Sequence, residues 1–320
     1  MIEDKEKKLL FIAEKFGVGH ERPAEEKIIL INTLEDYPKD EAVELLNYFL
    51  SIESNPDVLL HIVKLIGNHN QRNSAFNLTE LLLFKDSERK NLASKEQYLK
   101  VRCMIATILG NLKDYSAVVP LLYVLNNKDE NYKLRLSAAE ALGRIGDKYA
   151  VAPLIEIVTN EEEKSVYLRE SAAKALGMLG DIRAVDPMVA VLEAKKGIVD
   201  RFTFLKERII EALCKLGFKS DKAIRVLTES LNDESPYIRL SAVDALSELE
   251  DKRVTELIEP MLFDDDEDVA RGAVNALYSV EGTDYIVQFL KRDNLPSWCR
   301  EEIEEILENE EIDEDEEDNE

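Results

Sequence analysis

Apolar residues recur along this chain three and four positions apart, the period that places them on one side of an α-helix, and the helical stretches themselves repeat. Aligned on an Ala-Leu-Gly type core they read IATILGNL at 105–112, AAEALGRIGD at 138–147, AAKALGMLGD at 172–181, IIEALCKLG at 209–217, AVDALSEL at 242–249 and AVNALYSV at 273–280. One leucine anchors each: Leu109, Leu142, Leu176, Leu213, Leu246 and Leu277, at steps of 33, 34, 37, 33 and 31 residues. A second apolar stretch follows each core across a short turn, from Asp114, Asp147, Asp181, Asp221 and Asp251. Gly146 and Gly180 suit left-handed ends of the first helix, Asp147 and Asp181 suit caps of the second, and Pro120, Pro153 and Pro187 fall in its first turn, where a missing N–H costs little. The repeat is therefore helix, tight turn, helix.

A charged register runs with the apolar one. Seven residues before the anchor leucine stands a base, Arg102, Arg135, Arg169, Lys206 and Arg239, and six residues earlier an acid, Glu96, Asp129, Glu163, Asp200 and Asp233. In the sixth repeat Asp264 remains and Ala270 replaces the base. Stacking turns these into a structural ladder in which each base bridges acids or turn carbonyls of adjacent repeats. Exposed ion pairs are individually weak, so the ladder is expected to fix register more than to add stability.

The strings from Arg135 to Leu154 and from Arg169 to Met188 follow R-x-S-A-A-x-A-L-G-x-[IL]-G-D-x-x-A-V-x-P-[LM]. They resemble the HEAT repeat, in the short form named after the phycobiliprotein lyases. The resemblance covers about residues 96–290 and implies an all-α fold, a right-handed α-α superhelix forming a HEAT-like repeat solenoid. The expected organisation is one solenoid over 1–309, with degenerate repeats at 1–95, regular repeats at 96–290 and a capping helix at 296–309. In the first part Leu34 and Ile66 align with the anchors; in the cap, Trp298, Ile303, Ile306 and Leu307 are placed to cover the open apolar end. Polar insertions interrupt the pattern at 85–97 and 194–207.

Charge sharpens the picture at the C-terminus. Residues 301–320 hold fourteen Asp or Glu and no Lys or Arg, so the net charge of −25 leaves −11 for the other 300 residues. A disordered acidic tail is expected over 310–320. Acidity also argues against a nucleic-acid partner, which needs clustered Lys and Arg. No long uncharged apolar run exists, and MIEDKEKKLL is charged from its third residue, so no membrane span or secretory signal is read and a cytoplasmic protein is expected.

Candidate chemistry is sparse. No Gly-rich phosphate loop or nucleophile elbow occurs, and the histidines are only His20, His61 and His69. Deoxyhypusine hydroxylases resemble this fold and bind iron through repeated His-Glu pairs; here only His20-Glu21 has that dipeptide. The HEAT-like DNA glycosylases require a basic groove that this charge does not supply. Cys103, Cys214 and Cys299 form no CxxC pair, and the first two read as small buried hydrophobes. No catalytic residue, metal or cofactor is expected.

Surface remains. Positions two before and two after each anchor stack on the outward side and gather Arg144, Lys174, Met178 and Lys215, which with Arg208 form a basic and apolar patch suited to an acidic protein segment or carboxylate ligand. Phe202 and Phe204, in the second insertion, are a further candidate contact. The expected function is a non-enzymatic protein-binding scaffold or adaptor. The alternative the resemblance permits is a phycobilin lyase or phycobiliprotein-chaperone-like subunit, holding an open-chain tetrapyrrole.

Overall fold

A computed structural model of the chain describes residues 2–19, 21–84, 96–194, 203–216, 220–249 and 253–317. Every regular element among them is α-helix or a short 3-10 turn, and the chain divides into two units, Met1–Leu154 and Ile155–Glu320.

In the first unit, α1 (Ile2–Phe16), α2 (Ala24–Asn32), α3 (Lys39–Ile52), α4 (Pro56–His69), α5 (Ala75–Leu83), α6 (Glu96–Leu112), α7 (Val118–Asn126) and α8 (Tyr132–Ile145) form two layers. One layer runs α1, α3, α5, α7 and the other α2, α4, α6, α8, each helix packed on the next of its layer. Helix α9 (Val151–Thr159) straddles the division. Helix α1 has no counterpart in the repeat pattern, whose first apolar stretch begins at 25. Leu34 is fully buried as the pattern requires, but in a 3-10 turn at Thr33–Asp36.

The second unit contains α10 (Val166–Leu179), α11 (Val185–Glu193), α12 (Thr203–Leu216), α13 (Asp221–Ser230), α14 (Pro236–Ser247), α15 (Arg253–Ile258), α16 (Glu267–Glu281), α17 (Thr283–Val287) and α18 (Ser297–Glu317). Its long helices α10, α12, α14, α16 and α18 pack in series. No described helix is long and apolar enough to cross a membrane.

All six anchor leucines are fully buried. In α6 and α10 the residue after the anchor sets how closely the neighbouring helix approaches. A Cβ on Gly110 would lie 2.7 Å from the Ala141 Cα, and one on Gly177 3.1 Å from the Ala212 Cα, so these glycines let α6 meet α8, and α10 meet α12, backbone to backbone. In α12 the same place is taken by Cys214, whose thiol meets the Ala245 carbonyl at 3.4 Å.

Gly146 and Gly180 end α8 and α10 at φ of 84° and 62°, the left-handed cap the sequence implies. The aspartates act one step earlier than expected. Asp114, Asp147 and Asp181 accept backbone N–H groups two residues on and cap a 3-10 turn, and the short α-helix starts after that turn.

At the far end Ile303 is fully buried and Trp298, Ile306 and Leu307 pack on the same core. Helix α18 runs to Glu317, past residue 309 where composition places the end of ordered structure. Polar docking supplies what apolar content lacks: Glu310 accepts from the hydroxyls of Tyr278 and Thr283, each at 2.7 Å.

Candidate partner-binding surface

The surface is built by the long helices. With the leucine side buried, the opposite side is presented to solvent: Lys174, Met178, Lys215, Asp244, Glu248, Asn275 and Ser279 are exposed, and Thr107, Glu140, Arg144 and Glu211 half-buried. The outward register read from the sequence is the observed one.

The ladder lies at the opposite edge of the same helices and follows two rules. Three arginines first close the preceding short helix: Arg102 Nε donates to the Leu82 carbonyl, Arg135 Nε to Leu125 (both 2.9 Å) and Arg169 Nη1 to Val158 (3.2 Å), while Arg239 Nη1 donates to the Asp233 carbonyl (3.0 Å) in the loop after α13. The base then reaches forward to an acid of the next repeat. Arg239 grips Asp264 through two bonds of 2.6 and 2.8 Å, Lys206 pairs with Asp233, and Arg102 pairs with Glu130 at 2.9 Å. Glu130 thus takes the rung expected for Asp129, which is exposed. Glu163 also accepts the Ser165 N–H. Burial alone would raise the Asp264 carboxyl, but the Arg239 guanidinium and the Asp266 N–H outweigh it and hold it below the usual carboxylate range. Asp200, Phe202 and His20 lie outside the described residues.

The structure brings the expected patch together only in part. Arg144 belongs to the first unit, where Glu140 lies 3.5 Å away, and Arg208 is held by Glu211 at 2.6 Å. Lys174, Met178 and Lys215 stay open to solvent, and Phe204 is 71% exposed. Carboxylates share this face. Burial raises the Glu170 carboxyl, with Arg208 lowering and Glu207 raising it; burial and the neighbouring charge of Glu248 raise Asp244.

Two thiols are sealed. Burial and a hydrogen bond to Glu248 push Cys214 up to about 12, and burial pushes Cys299 up to about 11. Cys103 is half-exposed, in a groove of about 380 Å³ between α6 and α8 that Glu96, Lys100, Lys133 and Ser137 also line. Among the described residues no three His, Cys, Asp or Glu are grouped to hold a metal ion.

Sequence reasoning missed one row. The position nine before the anchor lies half a helical turn from it and faces solvent. In the second unit it is Tyr167, Phe204 and Tyr237, 65%, 71% and 72% exposed, and then Asp268, each the second residue of its helix. In the first unit the same position is Lys100 and Lys133. The signal was in the alignment, two turns before the position two residues ahead of the anchor.

Three overlapping segments of the chain, residues 87–166, 125–204 and 195–278, match a family described as HEAT repeats. No sequence among curated proteins matches the chain. Among solved structures, an engineered protein is similar over 91% of this chain and 86% of its own, at 17% identity and a TM-score of 0.53. The complex of CpcE and CpcF of phycocyanin lyase from Nostoc sp. is 24% identical over 73% of this chain and 87% of that one, with a TM-score of 0.46. Human deoxyhypusine hydroxylase in complex with glycerol is 16% identical over 86% and 98%, with a TM-score of 0.37. At these identities the likeness is one of fold.

Proposed function

The chain belongs to the HEAT-repeat family, and from that premise we propose that it is a non-enzymatic scaffold or adaptor that holds a protein partner on the uncovered side of its long helices. One observation carries this reading: helix after helix, the leucine side is sealed while the opposite side, two residues to either side of the anchor, meets solvent in a repeating register. Each unit thereby offers a row of side chains drawn from neighbouring helices, an extended surface rather than an enclosed pocket. The proposed contacts are Lys174, Met178, Lys215 and Phe204, with Arg208 beside them, Arg144 in the first unit and Phe202 in the insertion.

The test is affinity capture with the wild-type chain and with Arg144→Glu, Lys174→Glu and Lys215→Glu combined. Loss of the captured protein is expected; capture unchanged by three charge reversals overturns the patch. A bilin mixed with the purified chain keeps its visible absorbance under this reading, whereas a spectral shift followed by transfer to a phycobiliprotein acceptor would replace it with the lyase reading.

A further inference from the structure

The aromatic row deepens the scaffold reading, on which it rests, by specifying the partner's chemistry. Tyr167, Phe204 and Tyr237 occupy one helical position on α10, α12 and α14, which pack in series. Packed helices stand about 8–10 Å apart, so the three rings recur at about that interval across the helix axes. An extended segment in the polyproline II conformation advances about 3.1 Å per residue with three residues per turn, and turns the same side outward every ~9 Å. Every third side chain of such a segment meets a ring.

Charge selects what that side chain is. The second unit holds 20 Lys or Arg against 43 Asp or Glu, a net charge of −23. Close to the row, Glu170 and Glu207 stand three residues beyond Tyr167 and Phe204, and Glu234 three residues before Tyr237. Glu170 is half-buried with its carboxyl raised, first by burial and then by the charge of Glu207 against the opposing effect of Arg208, so an incoming cation relieves it. Exposed Tyr and Phe faces attract Lys and Arg for the same electrostatic reason. The cations Lys174 and Lys215 lie elsewhere: at 1.5 Å per residue they are about 10 and 16 Å further along their helices than Tyr167 and Phe204. The face has an aromatic and acidic band at the helix starts, whose nearest cation Arg208 is held by Glu211, and a mixed one further along, where Lys174 and Lys215 stand among Glu211, Asp244 and Glu248.

We infer that the row Tyr167, Phe204 and Tyr237, with the carboxylates Glu170, Glu207 and Glu234, docks an extended basic segment of a partner protein, carrying Lys or Arg at every third residue. The test uses the full chain and a fluorescein-labelled 12-residue peptide with Arg at every third position and Ser and Pro between, beside a twin with Glu for Arg. Fluorescence anisotropy is expected to show binding of the Arg peptide alone. Tyr167→Ala, Phe204→Ala and Tyr237→Ala combined weaken it by at least about tenfold, while conversion of the eight carboxylates of residues 311–320 to amides changes it by less than about twofold at physiological salt. Should the triple variant melt early by circular dichroism, Tyr237→Ala alone is read, with an expected loss of about threefold. Affinity kept without the rings, or lost with the amidated tail, overturns the inference, since the peptide is then held by diffuse charge. No binding to the wild-type chain also overturns it. A photo-reactive residue at 204 then separates the two readings: protein crosslinks formed from it leave the scaffold in place, and their absence removes the scaffold too.

Discussion

The two units are built from the same repeat and differ almost entirely in charge. Residues 1–154 hold 21 Lys or Arg against 23 Asp or Glu, net −2, while residues 155–320 carry the remaining −23. The near-neutral unit buries one ion pair: the Lys27 ammonium and Glu53 carboxylate meet at 3.0 Å with side chains 5% and 2% exposed, and Glu53 also accepts the N–H groups of Gly19, Ser54 and Asn55. The acidic unit keeps its surplus at the surface. One architecture thus tolerates both arrangements, because the fold is specified by the leucine side and the ladder edge, and the remaining side is free to vary.

The largest break in this comparison is expected from the interior pair. Lys27→Ala leaves a buried carboxylate without its cation, a loss of about 3–5 kcal/mol. Circular dichroism should show the first unit melting earlier, while fluorescence of Trp298, the single tryptophan and a residue of the second unit, reports no change there. A shift in the Trp298 transition would mean that the two units do not melt as separate entities. Next come the close approaches. Gly110→Ala should cost about 1–3 kcal/mol, since its new Cβ meets a backbone atom at 2.7 Å, and Gly177→Ala less, at 3.1 Å. Equal costs would show that the helices slide apart freely and that the glycines do not set their spacing.

Mild acid should first move the units in opposite directions, although at lower pH the second unit also loses what Asp264 and Glu310, whose carboxyls are held low, contribute. Glu170 and Asp244 of the second unit have carboxyls raised above their ordinary values, so protonation favours the folded state, and stability is gained as pH falls from neutral through those raised values. Glu53 is the reverse: burial would raise it, but the Asn55 N–H, Lys27 and two further N–H groups hold it low. Its contribution is complete above the ordinary value of 4.5 and lost as pH falls through its lowered one. Mild acidification is therefore expected to raise the Trp298 transition first and to lower the dichroism transition of the first unit only at lower pH. The same order for both probes would contradict it. The smallest effect belongs to the exposed pair of Lys222 and Asp186, 3.0 Å apart; Lys222→Ala should change stability by less than about 0.5 kcal/mol, and a larger loss by thermal melting would show the pair to be part of a network.

Much of this was legible in the sequence, for a physical reason. A side chain that must be buried in every repeat leaves a periodic trace, so the six anchor leucines, the glycine caps and the outward face were all readable from spacing. What was not legible depended on geometry that spacing does not carry. The ladder pattern named the acids but not the direction of pairing, and only the turn at residues 127–130 decides that Glu130, not Asp129, meets Arg102. Helix α1 has no second copy to be aligned with. Arg144 and Arg208 read as open cations because their helix neighbours Glu140 and Glu211, three or four residues away, were counted as separate surface residues.

The forward reach of the ladder also bears on how such a chain changes in length. Lys206 and Arg239 hold equivalent places one period apart, and so do their acceptors Asp233 and Asp264. Excision of one whole period between them returns an equivalent acid to the same base, and duplication inserts a base and an acid that already match both neighbours. Between Lys206 and Asp264 the junction is a standard coupling, equivalent on both sides of a cut made in phase, so a repeat there can be gained or lost as a whole module while a cut out of phase leaves two unmatched ends.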